Sequence, residues 1–336
     1  MTFLKTLAGA SAILVAASAA LADGHAAFSP AVIFDLGGKF DRSFNQASFE
    51  GAERFKEECG VEYREVEIQS DAQREQALRR FAEAGNNPIV VAGFAQQSAM
   101  EAVAAEFPDT QFQIIDAVVD LPNVRSVVFK EHEGSYLVGM MAAMKSESGV
   151  VGFVGGMDIG LIRRFACGYV QGVKAVNPDA TVIQNMTGTT GAAWNDPVKG
   201  GELAKGQIEQ GADVVYHAAG GTGRGVLQAT ADAGALGIGV DANQNYLHPG
   251  SVLTSMLKRV DVAVYSAFKD AMDGTFTAGV QSLGVAEEGV GYADDENNES
   301  LLSDERIAAV EDAKAKSISG EIAVHNYTTD DSCPAS

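Results

Sequence analysis

Cysteine is the first scarcity: Cys59, Cys167 and Cys333 are the only three in 336 residues, enough for one intramolecular bridge and too few for a disulfide scaffold. Histidine is also sparse. The five, His25, His132, His217, His248 and His325, are scattered, with none at ligand spacing from a cysteine or another histidine, so no metal site is expected. There is no Gly-x-Ser-x-Gly elbow, no phosphate-cradling glycine loop ending in Lys-Ser or Lys-Thr, and no His-Glu-x-x-His helix. Those absences argue against an enzyme of the common hydrolase, nucleotidase and zinc-protease designs. Positive charge is short as well, with 24 Lys and Arg against 45 Asp and Glu and a formal net charge of −21. Such a surface repels nucleic acid and anionic lipid, and neither is expected as a partner.

A long apolar run occurs once, at the start. Lys5 precedes an alanine-rich core over 7–20, and Ala20-Leu21-Ala22 is a small-x-small cleavage signature, so residues 1–22 read as a secretory signal peptide cut near Ala22. No cysteine follows that core to accept a lipid. A soluble exported protein is expected, although the run also reaches about the lower limit of a membrane span. Export permits a disulfide, and Cys59 at the end of the first helix with Cys333 in the tail is the expected pair, leaving Cys167 as a small apolar helix residue.

Beyond the leader, short apolar runs alternate with amphipathic stretches, the pattern of βαβ units on a parallel sheet. Strands are expected at 31–34, 63–67, 89–92 and 113–116, with helices over 43–59, 71–84 and 97–107 between them. A second strand, glycine turn and helix opens at Gly149 and repeats the order of the first. Two such sets, each completed by a late segment, imply two α/β lobes that the chain crosses between more than once, making a hinge. The expected lobes are 28–130 with 246–275 and 131–245 with 276–325, followed by a tail over 326–336.

The candidate site residues sit where strands end. In the stretch Phe34–Glu57, an apolar strand ends in Asp35, Gly37-Gly38 permit the turn, Asp41 or Ser43 can cap the next helix, and Phe44 and Asn45 lie at the strand's carboxyl edge. Gly93-Phe94, Asp116, Trp194, Gly220, Asp241 and Lys258 fall at comparable edges or helix starts. The segment HAAGGTGRGV at 217–226 follows a strand and opens a helix, with Asp241 ending the next strand. Its glycine order, however, is not that of a dinucleotide fingerprint. Aromatic plates, carboxylates and one cation together suit a flat, neutral, polyhydroxylated ligand.

Several segments together resemble one family: DLGGKFDRSFNQASFEG, FPDTQFQIID, EGSYLVGMMAA, WNDPVKGGELA, QGADVVYHAAGGTGRGVLQA, IGVDANQ and LTSMLKRVDVAVY. The chain is similar along nearly its whole mature length to basic membrane protein family receptors of ABC transporters, of the purine nucleoside type. That resemblance implies a type I periplasmic-binding fold with a three-crossing hinge, no enzymatic activity, no cofactor, a permease partner and a monomer. By the same resemblance Asp35 lies by the ligand, Phe44 stacks on the base, Asn45 bonds beside it and Asp116 meets the base edge. Trp194 supplies the second plate, where the family often has Phe. Gly220 brings backbone close, and Asp241 with Lys258 holds the ribose. A nucleobase or sugar receptor on the same fold, or a nucleotide-using enzyme, are the alternatives.

Overall fold

The computed structural model describes residues 28–334, and the leader read over 1–22 lies outside them. The first lobe carries β1 (Ala31–Phe34), α1 (Phe44–Cys59), β2 (Arg64–Glu67), α2 (Arg74–Glu83), β3 (Ile89–Val91), α3 (Gln97–Glu106), β4 (Phe112–Ile115) and β5 (Val124–Phe129). The second begins with α4 (Glu131–Lys145). It continues through β6 (Val150–Met157), α5 (Gly160–Val176), β7 (Thr181–Gly188), α6 (Pro197–Glu209), β8 (Val214–Ala218), α7 (Gly223–Ala233), β9 (Leu236–Asp241) and β10 (Val252–Lys258). The chain then adds α8 (Val260–Met272), β11 (Gly279–Leu283), β12 (Val290–Tyr292) and α9 (Asp304–Ser319).

The strands pair into two six-stranded sheets, ordered β2-β1-β3-β4-β5-β11 and β7-β6-β8-β9-β10-β12. Every pairing is parallel except β10 with β12. Helices cover both faces of a parallel sheet, which is why β1 and β3 read as unbroken apolar runs and why β1, β3 and β4 are buried at every position, Gln113 of β4 included, whereas the edge strand β2, REVE, is largely exposed. In each sheet the strand order reverses beside the first strand, β1 next to β3 and β6 next to β8. Open α/β sheets bind ligands outside the carboxyl ends at such a reversal.

The chain crosses between the sheets three times: between β5 and α4, between β10 and α8, and between β11 and β12. Helix α8 packs on the first lobe, with Phe268 against Phe55 of α1 at 5.4 Å between ring centroids and Gln113 Nε2 of β4 donating to the Ala263 carbonyl at 2.9 Å. Helix α8 thus lies where 246–275 was expected and β12 where 276–325 was, but the boundaries of both segments need correction at β10 and β11. Strand β10 stays in the second sheet beside β9, and β11 returns to the first beside β5. An apolar run such as VLTSML indicates burial without indicating which sheet receives it.

The disulfide also differs from expectation. Cys333 is bonded to Cys167 on α5, with their Cα atoms 5.6 Å apart, and Cys59 stands outside any disulfide. The reason is which lobe the tail lies on: Gln171 of α5 exchanges hydrogen bonds with the backbone of His325, 2.8 and 3.0 Å long, holding the tail on the second lobe, whereas Cys59 ends a helix of the first. No helix among the described residues is long and apolar enough to cross a membrane.

Candidate functional site

The first wall of the cleft is the connection from β1 to α1. Asp41 caps α1, its carboxylate accepting from the N–H groups of Ser43, Asn45 and Gln46 at 2.7–3.1 Å. Burial nonetheless pushes this acid up to about 7. Asn45 ties the preceding loop to the helix: its Oδ1 accepts from Asp35 N–H at 3.1 Å, and its Nδ2 donates to the Asp35 and Gly38 carbonyls at 3.0 and 3.3 Å. The carboxamide expected to bond a ligand is therefore committed to the loop that shapes the wall. Asp35 Oδ1 accepts from both Nε and Nη2 of Arg74, at 3.1 and 2.7 Å. Its Oδ2 lies against Gly93, where φ is +101° and an added Cβ would sit 2.7 Å from that oxygen. Only glycine suits both the backbone angle and the close approach. Burial raises the Asp35 carboxyl, with Arg74 opposing the shift.

The second wall comes from the other lobe. Trp194 ends a short 3-10 turn, Gly191–Trp194, whose Ala193 carbonyl accepts from the hydroxyls of Thr187 and Thr222 at 3.1 and 2.8 Å. The indole lies on β6 at Gly156, where a Cβ would fall 2.2 Å from Cζ3, so the plate exists because that strand residue has no side chain. Leu161, Ile162 and Phe165 of α5, with Ala218, Gly220 and Val240, complete this side.

Between the walls sits a buried charge cluster. Lys258, the last residue of β10, donates to Asp116 Oδ2 at 2.7 Å and lies 3.0 Å from Glu131 Oε1. Its ammonium is also within 5.1–5.5 Å of the ring centroids of Phe44, Phe129 and Phe165, within range of cation–π attraction. Burial works against the Lys258 charge, but the carboxylates of Asp116, Glu131 and Asp241 more than compensate and hold its pKa above the ordinary lysine value. Burial pushes Asp116 up to about 6 despite Lys258, and its Oδ1 is buried without a partner. Glu131 is equally buried, yet Lys258 and Arg164 hold it below the usual range. Asp241 is raised by burial and accepts from the Ser43 hydroxyl across the cleft. Both Asp116 and Asp241 adopt left-handed backbone conformations, with φ of +71° and +65°.

These residues surround one cleft between the lobes. All ten expected residues line it: Asp35, Phe44, Asn45, Gly93, Phe94, Asp116, Trp194, Gly220, Asp241 and Lys258. The lobes meet around it, with Ser43 on Asp241, Gln244 Nε2 donating to the Arg42 carbonyl at 2.8 Å, and Lys258 on Asp116. Arg74, Glu131, Arg164 and the apolar face of α5 went unread in the sequence. Arg74 carried no signal beyond a charge in an amphipathic helix, and Glu131 no signal beyond a helix start. Among the described residues no cluster of three or more His, Cys, Asp or Glu is disposed to hold a metal ion.

Such a cavity offers acceptors for ligand N–H and O–H groups, one cation and several aromatic faces, and it lacks an exposed nucleophile paired to a base. The comparisons agree with a binding role. Residues 28–328 match the family described as ABC transporter substrate-binding protein PnrA-like. The ABC transporter nucleoside-binding protein BmpA of Lactococcus lactis is 32% identical, covering 88% of each chain. The CD4+ T-cell-stimulating antigen of Listeria monocytogenes is 34% identical over the same shares. A crystal structure of an ABC transporter solute-binding protein from Aeropyrum pernix K1 superposes with a TM-score of 0.82 at 34% identity, covering 89% of this chain and 93% of that one.

Proposed function

The chain belongs to the PnrA-like family of ABC transporter substrate-binding proteins, and from that premise we propose that it captures a nucleoside, most favourably a purine nucleoside, between its lobes. Members of this family bind solutes for a permease outside the cytoplasmic membrane and are not enzymes. The observation that carries the nucleoside reading is the composition of one cavity. Phe44 from the first lobe and Trp194 from the second supply aromatic surface, while Asp116, Asp241 and Lys258 supply polar groups desolvated enough to discriminate. Stacking on aromatic side chains contributes about 1–3 kcal/mol per base, and each hydrogen bond to a charged group about 1.5–3 kcal/mol. Two plates and a held diol reach roughly −8 kcal/mol, micromolar binding or tighter.

In this reading Asp35 and Asp116 take the base edge, Asp241 and Lys258 the ribose, Gly93, Phe94 and Gly220 shape the walls, and Asn45 fixes the loop under the base. Leader cleavage near Ala22 releases the protein into the periplasm, where it works as a monomer and delivers to its permease. Calorimetry with inosine, guanosine, adenosine and uridine, the matching free bases, ribose and arabinose tests the assignment. Nucleosides bind tightest, and Asp241→Ala weakens them while leaving free bases nearly unchanged. Equal loss for nucleoside and base sinks the ribose assignment, and preference for a free sugar sinks the nucleoside.

A further inference from the structure

We propose that Glu131, braced by Arg164, is a positioning residue for the cavity cation Lys258, and that this pair sets affinity for the sugar end of the ligand. The inference rests on the nucleoside reading above. Glu131 is fully buried and stands behind the cavity, outside its lining, so it acts on a ligand only through another group. It is the first residue of α4, just past the first crossing, and Lys258 ends β10 at the second. The 3.0 Å ion pair between them therefore joins two of the three hinge strands. Arg164 Nη1 fixes the carboxylate, donating to Glu131 Oε2 at 2.8 Å and to the carbonyl of Phe129, the last residue of β5, at 2.7 Å.

Lys258 has few other restraints. Three aromatic rings surround its ammonium without directing it, and its one donated hydrogen bond goes to Asp116 in the opposite lobe. A single contact leaves the head group free to swing about that bond, whereas a second anchor on a separate element defines a position. Removing the Glu131 charge also leaves the partly buried Arg164 and the buried Lys258 cations with no carboxylate between them, so repulsion displaces the mobile ammonium rather than the braced guanidinium. Asp116, Asp241 and Arg164 are the other charged groups that face this pair.

The test compares inosine and hypoxanthine by calorimetry on the full-length mature protein, with thermal melts to verify folding. Glu131→Gln weakens inosine about tenfold or more, the scale of one hydrogen bond to a charged group, and leaves hypoxanthine within about threefold. In a Lys258→Met background the same substitution changes neither, because its effect runs through Lys258. Equal loss of both ligands, or an undiminished Glu131→Gln effect without Lys258, overturns the inference. If Glu131→Gln does not fold, Arg164→Lys is measured instead: it retains the charge but loses the double donation, and it gives the same split on a smaller scale or overturns the idea by giving none. A wild-type protein indifferent to the ribose fells the nucleoside reading itself, and this inference with it. A ribose-dependent wild type with an unaffected Glu131→Gln fells only the inference.

Discussion

Trp194 is the only tryptophan in the chain, which makes it both a proposed binding plate and a private spectroscopic reporter of the cleft. Its turn is held independently of the indole. Thr187 and Thr222 bond the Ala193 carbonyl, the Asp196 N–H donates to Thr222 Oγ1 at 2.7 Å, and Asp196 caps α6 through Lys199 N–H at 2.9 Å. Truncating the side chain therefore removes the plate and leaves the backbone in place. Losing one base-stacking partner costs about 1–3 kcal/mol, so Trp194→Ala weakens inosine by roughly 5- to 150-fold. Trp194→Phe restores most of that, since a smaller ring still presents a π face. Titrating the wild type with inosine, against ribose as a control, perturbs the tryptophan emission saturably, with the same Kd that calorimetry gives. Trp194→Ala binding inosine within about twofold of wild type, together with unchanged wild-type emission at saturation, refutes the stacking assignment.

Ionising Asp41, raised to about 7, and Asp116, raised to about 6, costs more in the folded than in the unfolded chain, where both start near 3.8. The sign follows: for these acids stability is greatest at low pH and is lost as pH rises from about 4 to about 7. His132 and His217, which burial holds down to about 4, contribute with the opposite sign over the same window, so the test is a difference: the ligand-free Tm of Asp41→Asn gains on that of wild type as pH rises from about 4 to about 7, and a difference that does not grow contradicts the assigned burial. Arg74→Met strands the Asp35 carboxylate, and since both side chains keep slight exposure, 11% and 14%, the loss is about 2–4 kcal/mol, somewhat below a fully buried pair. Chemical denaturation reads it directly, and an unchanged midpoint refutes it. Reducing Cys167–Cys333, whose partners are 166 positions apart, costs up to about 4 kcal/mol of stability and lowers Tm, while inosine affinity stays within about threefold, because neither cysteine lines the cavity. A large affinity loss on reduction would mean that the tail shapes the cleft.

The parts of this site that were legible in sequence are those where local pattern carries the information. An apolar run that stops at a polar residue marks a strand end, and in a parallel sheet strand ends are where ligands go. Asp35, Asp116 and Asp241 all follow such runs, and all reach one cavity. What the sequence concealed depends on which distant element lies opposite. Glu131 meets Arg164 33 positions away and Arg74 meets Asp35 39 away, while Lys258 reaches Asp116 across 142 residues. Nothing in a helical cation or a strand-terminal lysine announces its partner. The misassigned β10 and the misassigned disulfide fail for the same reason: both required knowing which lobe a segment lies on, and neither composition nor spacing records that.

The two lobes present the same device twice. Strands β4 and β9 hold equivalent places in their sheets, and an aspartate with positive φ follows the first as Asp116 and ends the second as Asp241, a conformation that costs a residue other than glycine on the order of 1 kcal/mol. Strain repeated at equivalent positions points to a use, and here both carboxylates are turned to the cavity. The cluster gathers Asp35, Asp41, Asp116, Glu131 and Asp241 against Arg74, Arg164 and Lys258, so closing the cleft desolvates more acid than base. Uncompensated, that excess opposes closure. A ligand relieves it by bringing hydrogen-bond donors without further negative charge, as the N–H groups of a base edge and the hydroxyls of a ribose do. A 5′-phosphate instead adds anion to a cleft whose cations are already paired. Nucleoside-driven closure and rejection of nucleoside monophosphates thus follow from one charge balance: AMP or IMP binding as tightly as the parent nucleoside would break the argument for both.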